Sequence, residues 1–287
     1  MPIVSIILPT YSRADLLPGA IDSILAQTFQ DWELIIVDDC SIDETPQIIA
    51  EYEAKDSRIR SIRNDPNKRL PASLNTGSAE AKGQFITWTS DDNFFRPTAI
   101  ERLASELLAD PELGVVYAHC MMINDDLEEL GIAAVSDYKD LLLFNCVRGC
   151  FMYRKEVHET LGGYDVNRFL VEDWDFWLRA SMQFKMKHIE EDHYLYRMHD
   201  RSLTATRLAE IHKLTALIIE EYLGKVSYAK GDVKFQSHLY LVHYGRKAGM
   251  LGFAFKHLMK AVMMNPLKAL AHVGPRAFKR AVGLNRA

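Results

Sequence analysis

Short apolar strands alternate with amphipathic helices through the first ninety residues, and this alternation constrains the fold more than any other feature of the chain. Residues 4–8 and 32–37 are continuous apolar runs of the length typical of buried strands, and residues 59–62 form a weaker run. The segments between them carry apolar residues at helical spacing, such as Leu17, Ile21 and Ile24. Alternating strands and helices form right-handed βαβ units. The sequence therefore predicts an α/β fold of Rossmann-like type, with a mostly parallel sheet and helices on both faces.

Polar residues follow three strands of this sheet at the point where each strand ends. These sequences are Pro9-Thr10-Tyr11 after the first strand, Asp38-Asp39 after the second, and Asp91-Asp92 after a further apolar run at residues 84–89. The carboxyl ends of parallel strands meet at one edge, where open α/β sheets bind their ligands. We therefore expect the three sequences to converge on one crevice. Taken alone, an Asp-Asp pair is more typical of an ordinary turn.

The residue types at this edge suit a nucleotide. Tyr11 offers an aromatic face for a base, and Asp39 offers an acceptor for the N–H group of that base. Asp91 can accept a hydrogen bond from a ribose hydroxyl group, and Asp92 can bind Mg²⁺ or Mn²⁺, which prefer oxygen ligands. No Gly-x-Gly-x-x-Gly or Gly-Lys-Ser/Thr sequence follows the first strand, which disfavours a dinucleotide-binding fold, a phosphate loop and a nucleotidyltransferase. A metal ion would have to neutralise a diphosphate instead.

The pattern becomes less regular in the second half of the chain. It predicts helices at residues 98–108, 155–161 and 174–182, and strands at residues 114–118, 145–153 and 194–197. Glu172 or Asp175 is expected to cap the helix at residues 174–182, since acidic residues are common at helix N-termini. From residue 205 the periodicity is helical. We therefore predict a catalytic domain at residues 1–204 and a helical extension at residues 205–287.

The extension is strongly basic, although the whole chain has a net charge of only −5. Residues 233–287 contain ten Lys or Arg and no Asp or Glu, which leaves 24 basic and 39 acidic residues in the other 232. Such asymmetry indicates an anionic partner, and we expect a peripheral contact with an anionic membrane rather than with nucleic acid. The spacing of the four cysteines and the lack of a long apolar run predict a cytoplasmic protein, peripheral at the inner membrane face.

Six short motifs follow one another along the first part of the chain. They are residues 4–11, residues 36–43, Asn75-Thr76-Gly77 with Ala81-Lys82-Gly83, Ser90-Asp91-Asp92, Gly162-Gly163-Tyr164-Asp165 with residues 172–178, and Tyr196-Arg197-Met198-His199. In order and approximate spacing, from residue 3 to about residue 204, they resemble family 2 glycosyltransferases, which are inverting nucleotide-sugar enzymes with the GT-A fold. One such motif is weak, whereas six in order are a strong indication.

The resemblance implies a role for each matching residue. Those that would bind the nucleotide sugar are Pro9, Thr10, Tyr11, Asp39, Asn75 and Asp91. Asp92 would bind the Mn²⁺ or Mg²⁺ ion, His199 would be a second ligand of the metal or diphosphate, and Asp173 would be the general base that deprotonates the acceptor.

The sequence departs from the family's pattern at three positions. Cys40 stands where a Gly is frequent, Ser90 replaces the first Asp of the metal motif, and Leu74 replaces a frequent Arg. The last aspartate of the metal motif is the ligand, so Ser90 is compatible with coordination. Lys68 or Arg69 could supply the diphosphate contact that Leu74 cannot.

The activity implied is metal-dependent, inverting transfer of a sugar from a nucleotide-diphosphate donor, expected to be UDP-linked. The acceptor would be a hydroxyl group of a glycan or a lipid-linked molecule, as in the synthesis of cell-surface polysaccharides. One base is enough for such a single displacement, whereas a hydrolase needs an acid and a base on either side of the bond. The alternative is a catalytically silent protein that binds a glycan or a nucleotide on the same fold.

Overall fold

The computed structural model describes residues 1–273, which form two units. Unit 1 consists of Met1–Tyr138 and Cys146–Asp200. Unit 2 consists of Lys139–Asn145 and of the chain from Arg201 onward. The sequence prediction divides the chain once, after residue 204, and so leaves Lys139–Asn145 in the first domain. No change of composition marks that short segment in the sequence.

Unit 1 contains nine strands and six α-helices among its described residues. The strands are β1 (Val4–Thr10), β2 (Trp32–Asp38), β3 (Ile59–Arg63), β4 (Phe85–Trp88), β5 (Phe94–Phe95), β6 (Leu113–Ile123), β7 (Glu129–Ala133), β8 (Phe151–Arg154) and β9 (Lys185–Arg197). The helices are α1 (Leu17–Leu25), α2 (Thr45–Lys55), α3 (Leu70–Glu80), α4 (Ala99–Ala109), α5 (Lys155–Leu161) and α6 (Glu172–Ser181).

The strands form one mixed sheet in the order β3-β2-β1-β4-β8-β6-β9-β5, with β7 paired to β6. The strands of the alternating first part, β1 to β4, are parallel to one another. Strand β8 runs antiparallel to β4 and β6, and β9 is parallel to β6. The α/β fold is therefore as predicted, and its antiparallel pairings lie where the sequence pattern loses its alternation.

One strand prediction is wrong over most of its length. Residues 145–150 are not extended, and strand β8 begins only at Phe151. Arg148 in this segment has a φ of 59°, in the left-handed region that a strand does not use. Strands β6 and β9 are in turn longer than the runs that predict them: β6 continues to Ile123, and β9 begins at Lys185 with partly exposed polar residues that the apolar pattern does not detect.

Helices cover both faces of the sheet. On one face, Ile6 and Leu8 of β1 share a buried core with residues of α1 and α4. Ile7 points to the opposite face, as successive strand residues do, and meets α3 there. A Cβ atom on Gly77 of α3 would lie only 2.5 Å from Cγ2 of Ile7, so this helix packs against β1 at a distance that only glycine allows.

Unit 2 is helical. Its helices are α7 (Leu203–Thr206), α8 (Leu208–Tyr222), α9 (Gly231–Lys247), α10 (Leu251–Met264) and α11 (Pro266–Val273). Phe235, Leu239, Ala261 and Ala269 form a small buried core in this unit. Among residues 1–273, none of the helices combines the length and hydropathy needed to cross a membrane. The expected helical extension is thus present; the part of the basic tail beyond residue 273 lies outside the described residues.

Candidate active site

The carboxyl ends of β1, β2 and β4 meet at one edge of the sheet. The backbone N–H of Asp39 donates to the carbonyl oxygen of Thr10 (2.9 Å), and the Thr10 hydroxyl donates to Oδ2 of Asp91 (2.8 Å). Pro9 and Thr10 are buried at the end of β1, whereas Tyr11 is 48% exposed just beyond it. The structure therefore brings together the strand ends that the sequence placed on one crevice, with the Tyr11 ring open to solvent.

Asp91 is a buried carboxyl group with an elevated pKa. Burial, followed by the neighbouring charge of Asp92, raises the pKa of Asp91 to about 7. Hydrogen bonds from the Thr10 hydroxyl and the Tyr11 backbone, together with the charge of Arg13, partly oppose this shift. Near neutral pH the group is therefore divided between a hydrogen-bond donor and a pure acceptor, both of which suit a hydroxyl partner.

Asp92 lies against His199, 107 residues further along the chain. Nε2 of His199 is 3.0 Å from Oδ2 of Asp92, and the His199 side chain is buried. Two hydrogen bonds hold the end of β9 in this position. The backbone N–H of Arg197 donates to Oδ1 of Asn93 (2.8 Å), and the hydroxyl groups of Thr89 and Tyr194 are 2.7 Å apart.

The Asp92–His199 pair fits a divalent cation. A carboxylate oxygen is a ligand that suits Mg²⁺ or Mn²⁺, and a neutral imidazole is a common metal ligand, so Asp92 and His199 would be able to hold such an ion together. Within the described part of the chain, no group of three His, Cys, Asp or Glu side chains is arranged to hold a metal. Mg²⁺ is nevertheless commonly bound by one or two protein ligands together with substrate phosphates.

Asp38 and Asp39, the other Asp-Asp pair, accept hydrogen bonds from surrounding residues of the protein. Asp39 accepts hydrogen bonds from the side chain of Asn64 and from the backbone N–H groups of Lys68 and Arg69, each at 2.8 Å. Asp38 accepts from the Ser41 backbone (2.8 Å) and forms an ion pair with Arg63. These three bonds leave Asp39 one lone pair, on Oδ2, with which it can accept the expected hydrogen bond from a base.

Asn75 is likewise engaged by the protein. Its amide nitrogen donates to the carbonyl oxygen of Tyr164 (2.7 Å), and its oxygen accepts from the Tyr164 backbone N–H (2.8 Å). Gly163 makes this approach possible, because a Cβ atom there would lie 2.5 Å from Oδ1 of Asn75. Asn75 thus clamps the turn at residues 162–165 onto α3, a structural role that its motif does not reveal.

Asp173 lies in the first turn of α6, half-buried, and its Oδ1 accepts from the backbone N–H of Trp174 (2.7 Å). The predicted caps are wrong: α6 begins after Val171 without a side-chain cap hydrogen bond. Asp175 instead pairs with Arg179 (2.7 Å), which also donates to the carbonyl oxygens of Leu161 and Gly163. These bonds join the helix carrying Asp173 to the turn that precedes it.

Glu172 is a buried carboxyl group beside Asp173. Within residues 1–273 its Oε2 atom has no hydrogen-bond partner. Burial, followed by the charge of Asp173, raises the pKa of Glu172 to about 8. Glu172 is therefore mainly neutral at pH 7, so that Asp173 is not faced by a second negative charge.

Sequence reasoning missed Tyr164 as the residue that connects these parts. Its hydroxyl oxygen accepts from Nε1 of Trp88 on β4 (2.9 Å). Burial raises the pKa of Tyr164 well above its ordinary value, and the charge of Asp173 contributes. Tyr164 thus lies between the strand that leads to Asp91 and the helix that carries Asp173. The only signal was its place in the Gly162-Gly163-Tyr164-Asp165 motif.

Backbone strain is concentrated around this edge. Ser12, Cys40, Arg69 and Leu170 have φ values of 52°, 71°, 69° and 78°, in the left-handed region that non-glycine residues rarely occupy. Ser12 and Cys40 follow two of the site sequences, Arg69 precedes α3, and Leu170 lies two residues before α6. Such residues are frequent at functional sites, where the surrounding structure holds them in place.

Known proteins share both sequence and fold with this chain. The sequence model of the family described as "Glycosyl transferase family 2" matches residues 5–162. An uncharacterized glycosyltransferase of Haemophilus influenzae is 26% identical over 298 residues, covering 99% of both chains. The crystal structure of Staphylococcus aureus TarS 1–349 in complex with UDP has a TM-score of 0.66 and 16% identity, covering 99% of this chain and 87% of that one. The mannosyltransferase PcManGT from Pyrobaculum calidifontis, in complex with GDP-Man and Mn²⁺, has a TM-score of 0.66 and 20% identity, covering 99% and 81%.

Proposed function

This chain belongs to glycosyl transferase family 2 and is a glycosyltransferase, and from that premise we propose that it transfers a sugar from a UDP-linked donor with inversion at the anomeric carbon. The acceptor we propose is a hydroxyl group of a glycan or of a lipid-linked molecule. UDP is favoured because TarS, a structural neighbour, binds UDP. A GDP-linked donor is the second candidate, because PcManGT binds GDP-Man. A cytoplasmic location stays a prediction, as does peripheral contact of the basic tail with a membrane.

The observation that carries this proposal is the meeting of Thr10, Asp91 and the Asp92–His199 pair at one sheet edge. The exposed Tyr11 ring lies beside this group and is available to a base. Asp91 can exchange a hydrogen bond with a ribose hydroxyl group in either protonation state. A nucleotide placed at this edge would therefore extend from Tyr11 past Asp91 toward Asp92.

Asp92 and His199 would hold a divalent ion, which supplies charge neutralisation for the departing diphosphate. His199 can act as a ligand only through an unprotonated Nε2, with its proton on Nδ1. Nδ1 of His199 is buried without a hydrogen-bond partner in the described chain. That arrangement leaves the imidazole without the second partner that usually orients a ligating histidine, so Asp92 is the principal ligand in the proposal.

Asp173 is proposed to accept the proton of the acceptor hydroxyl group. The hydroxyl oxygen then forms a bond to the anomeric carbon as the bond from that carbon to the diphosphate oxygen breaks, which inverts the centre in one step. The raised pKa of Glu172 favours its neutral form beside Asp173, which reduces the negative charge next to the proposed base. The hydrogen bonds of Arg179 to the preceding turn keep α6, and with it Asp173, in a defined orientation.

The test is turnover of defined donors by the purified full chain. UDP- and GDP-linked sugars are incubated with Mn²⁺, with and without simple glycoside acceptors, and release of the nucleoside diphosphate is measured. We expect release from a UDP-linked sugar. Asp173→Asn should lower kcat about 1,000-fold while leaving donor affinity nearly unchanged. The matched control is Asp125→Asn, an exposed aspartate in the turn between β6 and β7.

Each alternative gives a different result in this experiment. Turnover of GDP-linked sugars alone would replace the proposed donor. Tight donor binding without any turnover would favour the catalytically silent binding protein. Full activity of Asp173→Asn would remove Asp173 from the role of base.

A further inference from the structure

Helix α10 is apolar on two sides, and one of them is covered. Its buried residues are Ala254, His257, Leu258 and Ala261, and Ala261 belongs to the core of unit 2. A surface helix of a globular unit needs one such apolar side, with polar residues opposite. The second apolar side does not pack in the core of unit 2, so its apolar character indicates an interaction with something outside that core.

The second side is an exposed stripe of apolar residues at four-residue spacing. The exposed stripe consists of Leu251, Phe255, Met259 and Met263 on α10, and Leu267 continues the spacing into α11. Leu251, Met263 and Leu267 are 70%, 82% and 80% exposed. Residues four apart lie on one face of a helix, so the stripe on α10 is continuous. Single exposed apolar residues are ordinary, whereas contiguous ones mark an interaction surface.

Basic residues border the exposed stripe. Lys256 and Lys260 each follow a stripe residue by one position and so lie about 100° further round the helix, on the side away from the core. Lys256 pairs with Glu220 (2.6 Å), whereas Lys260 is exposed and has no carboxylate partner among residues 1–273. The whole segment of residues 233–287 contains ten basic and no acidic residues.

We propose that the exposed stripe inserts into the interface of an anionic lipid bilayer. An amphipathic helix with apolar residues on one face and lysines beside them binds such a surface through burial of the apolar side chains and attraction to anionic headgroups. A second copy of the chain fits less well. A symmetric pair through this stripe would place the exposed Lys260 of both copies at one interface, and residues 233–287 contain no acidic residue to offset them.

The experiment is co-sedimentation of the full chain with vesicles of phosphatidylcholine alone or with about one third phosphatidylglycerol. We expect the chain to bind the anionic vesicles at least tenfold more tightly than vesicles of phosphatidylcholine alone. Binding to the anionic vesicles should weaken as the salt concentration is raised. The triple variant Phe255→Gln, Met259→Gln, Met263→Gln should lose at least tenfold in affinity. Lys260→Glu should lose about fivefold or more.

Matched controls come from unit 1. Leu108, Leu127 and Ile132 are also exposed apolar residues, and their replacement by Gln should leave vesicle binding unchanged. Lys82→Glu gives the same change of net charge as Lys260→Glu at an exposed lysine of unit 1. Thermal unfolding of all variants shows whether a loss of binding reflects a loss of folding.

Three results would overturn the inference. The first is no preference for anionic vesicles, and the second is unchanged binding by the triple variant. The third is concentration-dependent dimerisation, measured by analytical ultracentrifugation, that the triple variant abolishes while vesicles bind neither protein. The inference does not rest on the proposed donor, and nucleoside-diphosphate release measured without vesicles separates its failure from a failure of the proposed function.

Discussion

Two Asp-Asp pairs follow the parallel strands β2 and β4 at the same edge of the sheet, and they differ in how many hydrogen bonds they accept from the protein. In Asp38–Asp39 both carboxylates accept hydrogen bonds from the protein, Asp39 from three donors and Asp38 from Ser41 and Arg63. In Asp91–Asp92 there are fewer protein donors: Asp91 accepts from the Thr10 hydroxyl group and the Tyr11 backbone, and Asp92 lies beside His199. Burial, followed by the charge of Asp92, raises the pKa of Asp91 to about 7. The first pair shapes the loops of the edge, and the second remains open to a ligand.

The difference lies in the chain that follows each pair. After Asp38–Asp39 the loop at residues 64–69 turns back and directs an amide and two backbone N–H groups at Asp39. After Asp91–Asp92 the chain continues directly into β5, and Asn93 bonds to the backbone of Arg197 instead of to the pair. Asp91 accepts from Thr10 and Tyr11, and Asp92 faces His199, so each carboxylate keeps lone pairs for a metal or a hydroxyl group.

The largest expected effect is on turnover, from the second pair. Asp92→Asn should lower kcat/KM about 1,000-fold, because the metal ligand is lost, and should change the free energy of unfolding by less than about 1 kcal/mol. Asp38→Asn is the matched substitution in the first pair and should leave turnover nearly unchanged. The measurements are turnover of the donor and unfolding by urea, each made on Asp92→Asn and on Asp38→Asn. Equal loss of turnover in the two would mean that the pairs are not distinct.

The next largest effect is on stability, from the first pair. Asp39→Ala removes the acceptor of three hydrogen bonds and should lower the free energy of unfolding by about 3 kcal/mol, since bonds to charged groups are stronger than neutral ones. Urea unfolding measures this, with Asp125→Ala as the exposed control. An unfolding midpoint equal to that of the control would show that the loop holds its shape without Asp39.

The pH dependence of stability sharpens the comparison through Asp91. Its folded pKa of about 7 is above the ordinary value of 3.8, so the folded state binds more protons and the stability conferred by the protonated group is lost as pH rises from about 4 to about 7. Asp91→Asn removes the titrating carboxyl group and therefore removes this loss of stability with rising pH. Relative to wild type, the variant should gain about 3 kcal/mol between pH 4.5 and pH 8.

Urea unfolding at several pH values measures this difference, with Asp125→Asn as control. Glu172 titrates in the same direction up to a pKa of about 8, so it contributes equally to wild type and to both variants and cancels in the comparison. A constant difference between Asp91→Asn and wild type across this range would contradict the assignment.

The smallest effect concerns the residue after each pair. Cys40 has a φ of 71°, where glycine has no steric penalty, so Cys40→Gly should stabilise the protein by about 1 kcal/mol. Asn93→Gly is the counterpart and should destabilise by about 1 kcal/mol, because its side chain accepts from the Arg197 backbone. Thermal unfolding of the two single variants tests the opposite signs, and shifts of the same sign would refute the expectation.

The sequence by itself determined the strands and helices of the first ninety residues and the edge at which the polar residues gather. Apolar periodicity predicts burial and secondary structure because it is local, and the ends of parallel strands must share an edge. The six motifs likewise indicated the family. The pattern failed at residues 145–150 and did not reveal the antiparallel pairings of β8, since both depend on neighbours distant in sequence.

Only the tertiary structure decided which carboxylates are engaged and which are open. Nothing in the two Asp-Asp dipeptides distinguishes them, and the distinction comes from Asn64, Lys68 and Arg69 folding back onto one pair. His199 reaches Asp92 across 107 residues, and Asn75 reaches Tyr164 across 89. The sequence encodes where a polar group is buried through its local pattern, whereas its hydrogen-bond partner is set by how distant segments pack.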